Sequence, residues 1–354
     1  MNDSIASNES VAAMAKDAES ANGKGPSSGV DWPRFVERVR AAGRFILTSH
    51  IRPDCDALGS ELAMAAILES LGKDVLICNA FAVPPNLQFI DPQKRMRRLD
   101  VDVPAAELAG YDALMVLDTS AWAQLGAMGE QIKRFSGAKM VLDHHVSEDD
   151  LGAEVFKDIT AEATGRLVIE AADALNVPLT LAIAEPAFMA LTTDTGWFRF
   201  SSTRADTLRL AARLLDAGVR PDDVYRKLYE NDTLGRLRLI GRTLGRAEME
   251  LDGRLIYSAI ERADFAAAGA HPSDSEDIIN MLLAVGGTKF AVLFVEQPSG
   301  GFKISLRSRC DVDCSRLAEQ FGGGGHRRAA GALLHEPLPA VQTRVLDAVR
   351  AALR

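Results

Sequence analysis

Four short polar clusters hold most of the side chains able to do chemistry. They are Ser49-His50-Ile51-Arg52-Pro53-Asp54-Cys55-Asp56, Asp118-Thr119-Ser120, Asp143-His144-His145 and Thr192-Thr193-Asp194-Thr195-Gly196. Brought together, Asp54, Asp56, Asp118, Asp143 and Asp194 would repel one another and lose hydration, which drives some carboxyl pKa values up and opposes folding. Divalent cations remove that cost. Carboxylate oxygens joined by one or two imidazoles suit Mn²⁺ or Mg²⁺, and with no thiolate evident zinc is disfavoured. In an extended segment, alternation aims Asp54 and Asp56 the same way and turns Cys55 elsewhere. Taken singly, each acid reads as a helix cap or turn residue, and the paired histidines as a structural pair. Their occurrence together, each after a hydrophobic element, points to a metal-dependent hydrolase.

A second kind of chemistry is suggested near the C-terminus, at Phe321-Gly322-Gly323-Gly324-Gly325-His326-Arg327-Arg328. Consecutive glycines carry a high entropic cost. They suit a backbone that approaches a ligand closely and offers N–H donors to phosphate oxygens. Upstream lie Arg307 and Arg309, and residues 303–328 hold six basic residues against three acids, although the whole chain has a net charge of −9. This basic island suits phosphate. The alternative is a flexible solvated loop, against which the apolar run Ala329–Leu334 resumes as a packed element would.

The elements that must position these residues are legible as short apolar runs. Arg44–Ser49, Val75–Cys78, Ala113–Leu117 and Lys139–Leu142 read as strands, and helical patterns such as Ser60–Leu71 lie between them. Continuous apolar strands alternating with helices imply a parallel sheet covered on both faces. In such a sheet ligands bind at the carboxyl ends of the strands, so the first three clusters converge on one edge and the fourth joins from the end of a helix. The expected fold class is α/β: a parallel-sheet domain over 30–200, a helical connector over 201–251 and a smaller α+β domain over 252–354. Residues 1–29, poor in large apolar side chains, are expected to be a disordered tail, with a frayed helix at Val11–Ala18 as the alternative. The composition, 47% hydrophobic and 25% charged over 354 residues, is that of a soluble globular protein. No apolar run approaches the length that spans a bilayer. The acidic balance argues against bulk binding of long duplex nucleic acid. Cys55, Cys78, Cys310 and Cys314 are too few for a disulfide framework; they read as reduced thiols, with a Cys310/Cys314 zinc pair as the weaker reading. No secretory signal is evident, so the expected location is the cytoplasm. An exposed helical connector is compatible with a homodimer.

Together these motifs resemble the DHH phosphoesterase family, named for the triplet at Asp143-His144-His145, and the glycine run resembles that family's DHH-associated substrate-binding domain. The resemblance covers roughly 35–350 and is most similar to the oligoribonuclease (nanoRNase)/pAp phosphatase branch, where pAp is 3′-phosphoadenosine 5′-phosphate. It implies two divalent cations, manganese before magnesium. His50, Asp54 and Asp118 would hold the first, and Asp56, Asp118, His144 and Asp194 the second. His145 would sit beside the scissile phosphate, with Asp143 orienting the histidines. Arg307, Arg309, Gly323, Gly324, Gly325 and His326 would receive the phosphate and nucleotide end. The implied activity is hydrolysis of short oligoribonucleotides to 5′-mononucleotides, and of pAp to AMP, by water activated at the cation pair. The alternatives are a soluble phosphodiesterase for cyclic or linear signalling dinucleotides and a non-catalytic nucleotide-binding regulator. A pyrophosphatase would not need the glycine island, and a long-strand exonuclease would carry further domains.

Overall fold

The computed structural model describes residues 29–354. The expected tail, apart from Gly29, and its alternative helix at Val11–Ala18 lie outside the described residues. The described chain divides into two compact units, through Leu228 and from Tyr229 onward.

The first unit is built on β1 (Arg44–Thr48), β2 (Asp74–Asn79), β3 (Met96–Arg98), β4 (Ala113–Leu117), β5 (Ala138–Asp143) and β6 (Glu154–Lys157). All five pairings are parallel, in the order β3-β2-β1-β4-β5-β6. Alternating side chains feed two cores. Phe45, Leu47, Met115, Leu117 and Leu142 face one side. There they meet α1 (Trp32–Ala41), α2 (Cys55–Ser70), α4 (Thr164–Leu175), α5 (Leu181–Asp194) and α6 (Ala205–Asp216). Ile46, Leu114, Val116 and Val141 face the other side and pack on Met128 and Ile132 of α3 (Ala127–Arg134). The strand order reverses between β1 and β4, and there the carboxyl ends leave a crevice.

Two departures from the sequence reading have clear causes. Helix α2 begins at Cys55, five residues before the expected Ser60, because Asp54 caps it and accepts from the backbone N–H groups of Asp56 and Ala57. Asp54 and Asp56 are therefore a cap and a first-turn residue rather than alternate residues of an extended segment. Strands β3 and β6 escaped the reading because they are short, lie at the sheet's edges and are partly exposed, which removes the need for an apolar run.

The second unit holds a sheet in the order β11-β12-β10-β9-β8-β7, with β7 (Glu248–Glu250), β8 (Leu255–Ile260), β9 (Phe290–Glu296), β10 (Phe302–Ser308), β11 (Gly324–His326) and β12 (Ala329–Leu334). One face packs on α11 (Cys314–Glu319) and α12 (Leu338–Ala352). The other packs on α8 (Leu234–Gly245), α9 (Arg262–Ala268) and α10 (Ile278–Leu283). The helical stretch between the sheets is interrupted at Gly218 and continues through α7 (Pro221–Tyr229). No helix among the described residues is long and apolar enough to cross a membrane, and all four cysteines are free.

Candidate metal centre

The carboxyl ends of β1, β4 and β5 deliver His50, Asp118 and Asp143 to one edge of the first sheet, the cap of α2 delivers Asp54 and Asp56, and the last residue of α5 is Asp194. Close helix packing lets these parts meet. A Cβ on Gly59 would lie 2.4 Å from the Pro186 carbonyl oxygen, and one on Gly165 would lie 2.6 Å from Ala190 Cβ. Glycine at both positions lets α2 and α4 press onto α5.

Three groups of side chains bring one ligand atom each within 4.8 Å of one another: His50, Asp54 and Asp118; Asp56, His144 and Asp194; and Asp118, His144 and His145. Asp118 belongs to two of them, and its carboxylate divides accordingly. Its Oδ2 lies 3.3 Å from His50 Nε2, and its Oδ1 lies 3.5 Å from His144 Nε2 and 3.7 Å from His145 Nδ1. His144 Nε2 is also 3.7 Å from Asp56 Oδ2 and 3.6 Å from Asp194 Oδ2. These separations exceed good hydrogen bonds. The other ring nitrogens are already engaged: His50 Nδ1 is 3.0 Å from the Ile51 carbonyl and His144 Nδ1 is 3.1 Å from the Ala161 carbonyl. An Nδ1–H donating to a carbonyl leaves the Nε2 lone pair aimed at carboxylate oxygens, the tautomer that metal-ligating histidines adopt. Lone pair facing carboxylate is unfavourable unless the ring takes up a proton or a metal cation lies between, and with several carboxylates converging on each Nε2 the donor set fits divalent ions.

The metal-free electrostatics express the same conflict. Burial, then the charges of Asp118 and Asp194, push Asp56 well above the usual carboxylate range. Burial is also the main cause that raises Asp194 to about 6. Burial opposes a charge on His50, yet Asp118 raises its pKa to about 9. Backbone strain is present as well. Asp118, 2% exposed, has φ 63°, a region that Asp tolerates better than most residues but still at a cost.

Asp143 plays a different part from the other carboxylates. Burial opposes its charge, but its hydrogen bonds outweigh that and bring it to about 2. Its Oδ1 accepts from the His145 backbone N–H (3.0 Å) and lies 2.9 Å from His145 Nδ1, while Oδ2 accepts from Ser120 Oγ at 2.7 Å. Asp143 therefore orients His145 alone; His144 is oriented by Ala161. The hydrogen bond to Asp143 is the main cause that raises the His145 pKa.

Several partners of the site were not singled out in the sequence. Lys157, on edge strand β6, donates to Ser120 Oγ at 2.7 Å and lies 3.3 Å from Asp143 Oδ2. The start of α4 holds Asp56 through the N–H groups of Thr164 (2.8 Å) and Gly165 (2.9 Å), and Thr164 Oγ1 donates to Asp118 Oδ1 at 2.8 Å. The cap position of α4 is Ala163, with no capping side chain to announce the helix start, and nothing marks Lys157.

The phosphate candidates lie in the second unit. Gly324, Gly325 and His326 form β11, paired with β12. A Cβ on Gly323 would lie 2.1 Å from the Gly331 carbonyl oxygen, and one on Gly325, with φ 146°, would lie 2.6 Å from Ala330 Cα. Those two glycines are needed by the close approach to β12. Gly324 has open space beside it. The Arg307 side chain donates to its own neighbour's carbonyl, Leu306, at 3.1 Å. A groove of about 470 Å³ lined by Arg262, Phe265, Glu296 and Lys303 opens at the opposite end of β10 from Arg307 and contains none of the candidate residues. Cys310 and Cys314 belong to none of the three metal-competent groups among the described residues.

Comparison with known proteins agrees with this architecture. Residues 44–191 match the DHH family N-terminal domain and 252–354 match the DHHA1 domain. A protein from Thermus thermophilus, the bifunctional oligoribonuclease and PAP phosphatase NrnA, is 31% identical over 90% of this chain and 95% of its own length. The protein of the same name from Bacillus subtilis is 26% identical over 85% and 92%. The crystal structure of an exopolyphosphatase-related protein from Bacteroides fragilis superposes with a TM-score of 0.82 at 26% identity, covering 91% of this chain and 95% of that one. With its motifs in order on a parallel sheet and a DHHA1 domain following them in sequence, the chain belongs to the DHH family of phosphoesterases.

Proposed function

We propose that the chain hydrolyses short oligoribonucleotides to 5′-mononucleotides, and pAp to AMP, with two divalent cations, Mn²⁺ in preference to Mg²⁺. The observation that carries this reading is the approach of imidazole nitrogens to carboxylate oxygens at 3.3–3.7 Å with the opposite ring nitrogens held by carbonyls. In this reading His50, Asp54 and Asp118 hold one ion, and Asp56, Asp118, His144 and Asp194 hold the other. Bound there, the ions would supply an activated water and polarise the phosphoryl oxygens. Asp56 and Asp118 keep fixed orientations because Thr164 and Gly165 donate to them. With Nδ1 held by Asp143, His145 presents Nε2 outward, where it can meet phosphoryl charge or give a proton to the leaving oxygen. Arg307, Arg309, Gly323, Gly324, Gly325 and His326 receive the substrate's phosphate and nucleotide end. The names of the two NrnA relatives support the substrate class.

The domain reading accompanying this is a catalytic domain over 30–200, a connector over 201–251 and a substrate-binding domain over 252–354. It is supported by the two family matches and by the division between units at Leu228/Tyr229. A cytoplasmic location agrees with four free thiols. A homodimer is supported by Leu208 and Leu215, exposed seven residues apart on α6; sedimentation at micromolar concentration checks it.

The deciding experiment gives purified protein pAp, a linear dinucleotide, a five-residue RNA and long single-stranded DNA, each with Mn²⁺ or Mg²⁺. AMP from pAp and 5′-mononucleotides from the short RNA are expected, fastest in Mn²⁺. Absence of both products in both metals overturns the proposal, and binding of pAp without turnover would favour a regulator.

A further inference from the structure

Behind His50 lies a polar chain that neither the ion-holding groups nor the phosphate contacts use. Glu61, on α2, is wholly buried, and its Oε2 accepts from Asn79 Nδ2 at 2.9 Å. Asn79 closes β2 and is 4% exposed. Its Oδ1 accepts from the Ser49 N–H at 3.0 Å and from Thr48 Oγ1 at 3.1 Å. Thr48 is the last residue of β1, and Ser49 leads directly into His50. One amide thus joins the ends of two parallel strands. Its orientation is forced, because Oδ1 must face the Ser49 N–H, so Nδ2 must face a buried acceptor. Glu61 supplies that acceptor.

The arrangement is costly. Burial raises Glu61 to about 7, against the opposing pull of Asn79 and Ser49. Glu61 Oε1 and Ser49 Oγ complete no hydrogen bond of good geometry. An apolar residue at 61 would avoid the desolvation of a carboxylate. The return is local order where the chain leaves the sheet. Beyond Ser49 the segment is held by the Ile51 N–H on the Gln124 carbonyl (2.6 Å) and by His50 Nδ1 beside the Ile51 carbonyl (3.0 Å). The Asn79 amide is the anchor on the other side of His50.

We infer that Glu61 and Asn79 are positioning residues for the first ion-holding group: through the Asn79 amide they fix the end of β1 so that His50 Nε2 faces Asp118. This rests on the metal-centre reading above. Neither residue belongs to the groups that hold the ions.

The test inverts the hydrogen bond and reads Mn²⁺ binding to the full-length protein by titration calorimetry and electron paramagnetic resonance, with no activity measurement. Glu61→Gln keeps an acceptor for Asn79 Nδ2 and binds both ions as wild type does. Asn79→Asp sets two acids against each other and weakens one of the two ions about 10–100-fold, the usual effect of losing a supporting contact. In the double substitution the new amide at 61 donates to the new carboxylate at 79, and the lost affinity returns. Circular dichroism and thermal melting accompany each variant. If Asn79→Asp does not fold, Asn79→Ser, which removes the anchor without adding charge, must show the same loss at one ion. Unchanged binding by the folded variant at position 79, equal weakening of both ions, or no recovery in the double variant overturns the assignment. Wild-type protein that binds no Mn²⁺ would instead overturn the metal centre itself.

Discussion

The carboxyl edge of the first sheet and the glycine strand of the second carry their charges in opposite ways. At the first, Asp56 and Asp118 are 2% exposed, and each is held by donors at the start of α4. At the second, Arg309 and His326 are exposed, and Arg307 is half-buried with a backbone carbonyl as its partner. Desolvated carboxylates fixed before any ligand arrives suit chemistry, where small displacements are expensive. Exposed cations beside permissive backbone suit recognition, where the ligand completes the order. The two regions should therefore respond differently to mutation, the first in turnover and the second in substrate affinity.

The sharpest way to break this contrast is Asp118→Asn. It alters the carboxylate shared by two metal-competent groups, and turnover should fall by about 10³-fold or more, beyond the usual range for one electrostatic contact, while circular dichroism shows the fold retained. Retained turnover would remove Asp118 from the centre of the site. Next in size is His145→Gln, expected to lower kcat by about 10²–10³-fold, within the range of general acid–base catalysis. Asp143→Asn should follow it in the same direction, because Asp143 orients that ring. A change in KM alone for either variant would assign His145 to binding rather than to reaction.

Legibility from sequence followed the same divide. The buried strands announced themselves because both faces of β1, β4 and β5 are covered, which demands uninterrupted apolar runs. The acids and histidines stood out because their types are costly together. What stayed hidden was supplied by backbone or by lone side chains from distant elements. The N–H groups of Thr164 and Gly165 leave no trace in residue type, and Lys157 on an edge strand looks like a solubilising charge until its ammonium is found against Ser120 and Asp143. The glycine run was legible as unusual, but its reason was split. Gly323 and Gly325 are required by the close approach of β12, a tertiary fact, and Gly324, though paired with Gly331, has open space where a side chain would go.

That split yields the next prediction, an effect of about tenfold. Arg307→Ala should raise KM for pAp and short RNA about tenfold, the scale of one charge-assisted hydrogen bond, and leave kcat near wild type. Gly324→Ala, with room for its methyl group, should keep the melting temperature and act on KM alone. Gly323→Ala, whose methyl group would meet the Gly331 carbonyl, should lower the melting temperature. Equal destabilisation by both glycine variants would show that the run serves packing throughout.

The smallest expected effect is a change of a few degrees in melting temperature with pH, and it separates the two regions without any substrate. In metal-free protein Asp118 holds the His50 pKa near 9, against an ordinary value of 6.5. The native state then binds more protons than the unfolded chain between those values. Stability from this group is complete below pH 6.5 and declines as pH rises toward 9. Asp194, raised to about 6, acts with the same sign at lower pH, weakening the fold as pH climbs from about 4 to 6. Asp143, lowered to about 2, acts with the opposite sign and gives up its contribution only as pH falls below about 4. Adding Mn²⁺ should therefore raise the melting temperature more at pH 8.5 than at pH 6.5, because His50 must shed its proton to bind an ion. His50→Gln should make the metal-free decline above pH 6.5 shallower, leaving the part that belongs to Asp56 and His145. Arg307→Ala should leave it unchanged, since Arg307 lies in the second unit and adds no ligand atom to the three metal-competent groups among the described residues. A Mn²⁺ shift independent of pH, or a decline that His50→Gln leaves at its full size, would detach the titration from the His50–Asp118 pair and remove that part of the electrostatic basis of the contrast.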